Sequence, residues 1–415
     1  MFIPKLLFVF LAIYGLAVPP GLAETSSILA NLNPIEIDAE LNLPDLVDAT
    51  LKLYPDSTWL DTLEEEAKAI GQRGESWFAG SPTLVLSYQE ATSGTLHIGD
   101  TVIGAPLWNF GQRDAEKNLA KQARRSAQSQ KDLSKLSVAG LLRTALWNMS
   151  LMNIRLEQAR SDYETTQRLV TEIEKRYALG EMQQSDLLLV QGQLLQQRLT
   201  LVQAEAEVMR ARKLYISITQ SNIVPGHFDE SLVGLSKMEK NHPGLLAINS
   251  LIDRKRAEIN AIRLTGSGQN KLWIGVNTDH GDSRSNHTES FNITIEIPFG
   301  GSAHLAPKIA AAHVALNKLI AQRAQMSRDL NRLHQEAEQN LQVNQAELDI
   351  ANELKQVAVH NMKITESKLS LGEIDLINFL KIQSGAQRAI LNAKLHSVTR
   401  QRNIALYNQS VGATP

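Results

Sequence analysis

The sequence contains no cysteine. That removes disulfides, thiolate metal sites and the acyl attachment point of a lipid-anchored protein together. Aromatic residues make up only 5% of the chain and the net charge is −2, so the composition gives no reason to expect nucleic acid as a partner. Beyond Ala23 no apolar run approaches the roughly 20 residues that a membrane-spanning helix needs. A mature chain that meets a membrane must then do so with strands. Proline is absent from Asn109 to Val224. A stretch so free of breakers, crowded with Ala, Gln, Leu, Arg and Glu, reads as very long helix and not as a compact enzyme core.

At the start of the chain, Lys5, the apolar run Leu6 to Val18 and the small-residue ending Gly21-Leu22-Ala23 read as a secretory signal over residues 1–23.

The chain repeats itself at a spacing of 192 residues: Pro106 and Pro298, Gly180 and Gly372, Glu181 and Glu373, Gln191 and Gln383, Leu214-Tyr215 and Leu406-Tyr407. Arg176 and Lys368 keep the spacing with the positive charge retained. Each unit runs from strand-like residues into a long helical stretch, then Leu-Gly-Glu, then a second helix. From Gly111 to Ala178 a continuous helix would extend roughly 100 Å at 1.5 Å per residue.

These helices carry seven-residue periodicity. Leu142, Met149, Leu156, Tyr163, Val170 and Tyr177 form one half of a seam, and Ala145, Met152, Ala159, Thr166 and Ile173 the other. On the return helix Leu187, Leu194, Leu201, Val208 and Tyr215 form one row, with Leu188, Leu195, Val202, Met209 and Ile216 beside it. Two adjacent rows make a broad apolar face that needs more than one neighbour. In the second unit the seam is narrower, running through Phe379, Ile382, Ala386, Ala389 and Ala393. Leu179-Gly180-Glu181 and Leu371-Gly372-Glu373 read as hairpin tips, with glycine ending one helix and glutamate suiting the positive start of the next. Asp375, three residues past Gly372, is placed to cap the returning helix.

Ahead of each long helix sits a pair of short alternating runs. Phe291 to Ile297 places four apolar side chains on one face, and Leu272, Ile274 and Val276 alternate with Trp273, Gly275 and Asn277. Leu84, Leu86 and Tyr88 alternate with Val85, Ser87 and Gln89. The run Leu96 to Ala105 is less regular, with Asp100 falling on the side of Ile98 and Val102, read here as its apolar face. One apolar and one polar face suits a barrel with lipid outside and water inside. Spanning strands must close, and four are too few, so the chain must oligomerise.

A strand pair ending in Pro106-Leu107-Trp108-Asn109-Phe110-Gly111, a long helix, Arg176-Tyr177-Ala178-Leu179-Gly180-Glu181 and then Asp186-Leu187-Leu188 resembles the TolC family of outer-membrane efflux proteins. The second copy, Ile297-Pro298-Phe299-Gly300-Gly301 with Leu371-Gly372-Glu373, resembles the other half of that fold. The resemblance implies a mainly α chain with a small β part: long antiparallel coiled-coil hairpins in two repeats, and four amphipathic strands contributing to a trimeric outer-membrane β-barrel. It divides the chain into an N-terminal segment with equatorial helices (24–81), a first strand pair (82–107) and a first long hairpin (108–220). A linker (221–243), a helix of the second repeat (244–269), a second strand pair (270–299) and a second long hairpin (300–412) follow.

The implied partners are two further copies of the chain, a periplasmic adaptor, an inner-membrane transporter and outer-membrane lipid. The implied location is the outer membrane, extending into the periplasm. Arg176, Gly180, Glu181, Lys368, Gly372 and Glu373 would form the docking tips, with Asp186 and Asp375 as carboxylates for a constriction. Some family members carry aspartates six and nine positions past the second tip glycine; here those positions are Asn378 and Lys381. The brief linker resembles the CzcC-like heavy-metal efflux branch.

No catalytic set or cofactor site emerges. His304 and His313 are nine apart on one helix, and His280 and His287 flank a polar loop. The function expected is a passive efflux conduit. The alternatives are the exit duct of a type I protein secretion system and a secreted coiled-coil structural protein without a pore.

Overall fold

The computed structural model describes residues 35–234, 241–282, 284 and 287–415. The signal read at 1–23 lies outside the described residues, as does part of the segment read as a linker. The described chain begins with strand β1 (Glu36–Asp38) and helices α1 (Leu43–Leu53) and α2 (Asp56–Glu75), followed by strands β2 (Thr83–Glu90) and β3 (His97–Pro106). Helix α3 (Gln112–Ala178) then runs 67 residues, about 100 Å at the helical rise, before α4 (Gln184–Thr219) returns. Strand β4 (Ile223–Pro225) and helix α5 (Pro243–Leu264) lead to β5 (Lys271–His280) and β6 (Thr288–Glu296). Helices α6 (Ser302–Ser370) and α7 (Leu376–Ser410) repeat the long hairpin.

The elements form four parallel columns. The sheet order is β2-β3-β5-β6, antiparallel throughout. Beneath it α2, α3, α5 and α6 pack side by side in that order, and further from the sheet the order is α4, α3, α7, α6. Helices α3 and α6 run the whole length, while α2 and α5 are succeeded by α4 and α7. The helices are held by seams of the expected residues. Leu142, Met149, Leu156, Val170 and Ile173 are buried on α3, facing Val190, Ala204, Val208 and Tyr215 of α4. Phe379, Ala386, Ala389 and Ala393 are buried on α7, where small side chains allow close approach to the neighbouring helices.

Midway along the long helices, α1 packs on α3 and α4 through Leu43, Leu46, Val47 and Leu51, which join Val138, Leu142, Leu146 and Tyr215 in the largest apolar cluster. The described residues of the segment read as a linker join this belt on both sides. Strand β4 pairs with β1 in parallel register, Glu230 reaches Arg143 of α3, and His242 caps α5 by accepting from the Gly244 N–H at 3.0 Å.

One expectation is corrected by register. Asp100 pairs with Ser87 on one side and Asn277 on the other, so it sits on the polar face of the sheet. Its carboxylate accepts from Ser87 Oγ at 3.0 Å and from Asn277 Nδ2 at 2.5 Å. The apolar face of β3 is instead the one carrying Thr101, Ile103 and Ala105. The sequence of β3 alone contains apolar residues on both sides, and only the neighbouring strands decide between them.

Candidate channel elements and docking tips

The sheet has one continuous apolar face. Register aligns Leu84, Ile103, Ile274 and Ile293 in one cross-strand row, and Leu86, Thr101, Val276 and Phe291 in the next. Among the described residues nothing covers this face: Ile293 and Ile295 are 60% and 62% exposed. The opposite face carries Ser87, Gln89, Asp100, Asn277, Asn292 and Thr294, with the Trp273 ring lying over Gly104, where it leaves no room for a Cβ. Where the strands give way to helices, Trp77, Phe110 and Phe299 are almost wholly exposed. Aromatic side chains at that level match the girdle that marks a membrane boundary on barrel proteins.

Among the described residues both flanks are open. Strands β2 and β6 each have one unpaired edge. In the helical layer the outer row of α4 (Leu188, Leu195, Val202) lies bare, as the double row on that helix foreshadowed. Sequence reasoning missed its counterpart on α6. Val343, Ile350, Val357, Ile364 and Leu371 are seven apart and all exposed, a period visible in the sequence but outweighed there by the small-residue seam of α7. The two stripes match in height. Leu195 and Val357, 65% and 67% exposed, each lie fifteen residues from their tip glycine. Leu188 with Ile364 and Val202 with Ile350 are matched in the same way.

The two tips are copies of one another. Gly180 and Gly372 adopt φ of 77° and 76°, the left-handed conformation that glycine reaches without a Cβ penalty. The Glu181 N–H donates to the Arg176 carbonyl at 2.9 Å, and the Glu373 N–H to the Lys368 carbonyl at 2.9 Å. This closes the last turn of each helix. The Arg176 guanidinium also pairs with Glu172 at 2.7 Å. Glu181, Lys368 and Glu373 are exposed. Leu169, Val170, Ile173, Val190, Leu376 and Phe379 pack both tips into one apolar cluster, so the two hairpins end as a single unit.

Asp186 and Asp375 both engage helix starts. The Gln183 N–H donates to Asp186 Oδ2 at 3.2 Å, in a reciprocal capping box, and the Asn378 N–H donates to Asp375 Oδ1 at 2.6 Å. Further up, burial pushes the Asp162 carboxyl of α3 above its ordinary value, although Gln158 Nε2 donates to it at 2.8 Å. His304 and His313 are both exposed on α6 and share no partner among the described contacts.

No family model matches the sequence, and no curated protein matches it. Solved structures do. The CmeC outer membrane channel of Campylobacter jejuni aligns with a TM-score of 0.70 at 13% identity, over 89% of this chain and 85% of that one. CusC, whose structures describe folding and transmembrane channel formation, aligns at 0.72 and 14%, over 92% and 94%. The outer membrane protein VceC of Vibrio cholerae aligns at 0.72 and 12%, over 89% and 96%. The chain therefore has the fold of an outer-membrane efflux channel, over nearly its full described length, as the resemblance to the TolC family implied.

Proposed function

We propose that the chain is the outer-membrane channel of a tripartite efflux system, a passive conduit from an inner-membrane transporter to the exterior. The observation that carries this reading is the coincidence of open edges. The column β2-α2-α4 ends one flank and β6-α6 the other. A second copy offers its β6 edge to β2 and its bare α6 stripe to the α4 row in a single movement. Three copies repeated around an axis would give a twelve-stranded barrel above a helical tunnel, with no strand edge left in lipid. The apolar sheet face then meets the membrane, and the tips, about 100 Å away by helix rise, face the periplasmic adaptor and inner-membrane transporter.

In this reading Arg176, Gly180, Glu181, Lys368, Gly372 and Glu373 form the docking end. Asp186 and Asp375 supply the charge at the constriction, tripled by symmetry and held in place by the caps they make. The cargo proposed is metal ions or small toxic compounds, on the resemblance of the short chain to the heavy-metal branch.

Detergent extraction, sizing and single-channel recording test the reading together. The expected result is a trimer with a discrete conductance whose cation preference weakens in Asp186→Asn and Asp375→Asn and at high salt, where screening shortens. Extraction without detergent and no conductance in lipid would replace the channel with a pore-free coiled-coil protein.

A further inference from the structure

At the end of the sheet away from the helices, four ionisable side chains fall in one cross-strand row. Glu90 pairs with His97, and His97 pairs with His280. His280 and His287 bracket the β5–β6 turn, with ring centroids 3.8 Å apart and planes tilted by 34°. The parity of the strands puts all of them on the apolar side, above Leu84, Ile103, Ile274 and Ile293. His287 Nε2 lies 3.2 Å from Glu289 Oε1. His97 is partly engaged, with its Nδ1 3.0 Å from the Tyr88 hydroxyl.

We infer that His280 and His287 form a two-imidazole clamp for a first-row divalent transition ion such as Zn²⁺, Ni²⁺ or Cu²⁺. Imidazole is a preferred ligand for these ions, whereas Mg²⁺ and Ca²⁺ select sets of oxygen ligands that this row lacks. Two rings this close need only side-chain rotation to aim one nitrogen each at a common ion. The contact with Glu289 has the form found behind metal-bound histidines: a carboxylate accepts from one ring nitrogen and turns the other toward the ion. Among the described residues no group of three metal-ligating side chains converges. The remaining positions are therefore open to water or to a phosphate oxygen. The pair lies within one chain and outside the proposed conduit, so the site stands independently of the trimer and of the cargo.

The test uses the full chain, purified in detergent without a polyhistidine tag. Calorimetric titration with Zn²⁺ should give one ion per chain. The double variant His280→Asn with His287→Asn should lose that binding, while His304→Asn with His313→Asn keeps it. Glu289→Gln should bind about tenfold more weakly, the usual effect of removing such a carboxylate. Cu²⁺ electron paramagnetic resonance on the unmodified protein gives a readout that does not depend on a variant folding, and should show coupling to two imidazole nitrogens. No stoichiometric Zn²⁺ binding, unchanged binding in the His280/His287 variant, or a Cu²⁺ spectrum without nitrogen coupling would each overturn the assignment.

Discussion

Arg143 of α3 donates from Nε and Nη2 to the two carboxylate oxygens of Glu230, at 2.7 and 2.6 Å. The guanidinium is 1% exposed, and it also donates to Gln409 Oε1 at 2.6 Å and to the Ala413 carbonyl at 3.0 Å. Asn408 joins from α7, donating to Glu230 and to the Ser231 carbonyl. One buried charge thereby ties the first hairpin, the connecting segment and the end of the second hairpin together. Arg143→Leu should lower stability by about 3–5 kcal/mol, because it leaves the Glu230 carboxylate uncompensated. The double variant with Glu230→Leu should recover part of that loss. Thermal unfolding of the four proteins of the cycle measures both, and equal losses in single and double variants would show that the ion pair is not what couples the segments.

The open seam can be tested by chemistry that the chain lacks. With no native cysteine, Leu195→Cys and Val357→Cys introduced together supply the only thiols. The two positions are matched in height, so oxidation should link neighbouring copies into covalent dimers and trimers with no larger species. Shifting one partner to Val343, two heptads or about four helical turns away, should abolish the linkage. Chains that remain monomeric on denaturing gels under oxidation would remove the α4–α6 seam.

Ile293 and Ile295 face outward on β6 beside Ile274 and Leu272. Replacing both with Lys should block insertion, at roughly 2–4 kcal/mol per charge near mid-bilayer. Fractionation of cells carrying the double variant checks this, and a normal membrane level would place the apolar face elsewhere.

Gly180→Val and Gly372→Val force a β-branched side chain into left-handed backbone, a cost of about 1–2 kcal/mol. Among the described residues nothing lies within 4 Å of a Cβ built at either position, so the damage should stay local. Export should fall sharply while trimers persist in the membrane. Full export by both variants would overturn the docking role proposed for the tips.

His242 gives a pH dependence with a definite sign. Burial holds its imidazole below the ordinary value of 6.5, and its Nδ1 must be unprotonated to accept from Gly244. The unfolded chain then binds the proton more readily than the folded one. Stability from this group is complete above the ordinary value and is lost as pH falls from there through the depressed one. His242→Asn keeps an acceptor for the cap but cannot titrate. The melting temperature of the variant should therefore fall less than that of the parent between about pH 7.5 and 5.5; parallel falls would assign the acid sensitivity to other groups.

Much of this architecture was legible locally. A proline-free stretch of this composition can do little but form helix, and the 192-residue repeat alone places both tip glycines. The left-handed φ at Gly180 and Gly372, and the Asp375 cap, follow from chemistry within a few residues of each position. Asp186 was less transparent, since its capping box uses a glutamine at the start of α4 where serine or threonine is the usual signal.

The sequence by itself determined the periodicities: where helices run and turn back, which strands alternate, and that some helix faces are too broad for one neighbour. Tertiary structure decided which neighbour covers each face. Asp100 lies on the polar face because Ser87 and Asn277 flank it, not because of the residues beside it in β3. Arg143 gave no signal in the sequence, since its partners lie 87 and 266 residues away. The row Glu90, His97, His280 and His287 comes from two hairpins far apart in the chain, and register alone brings it together. A periodic pattern is a property of one segment, whereas burial and pairing are properties of two, and only packing states which two meet.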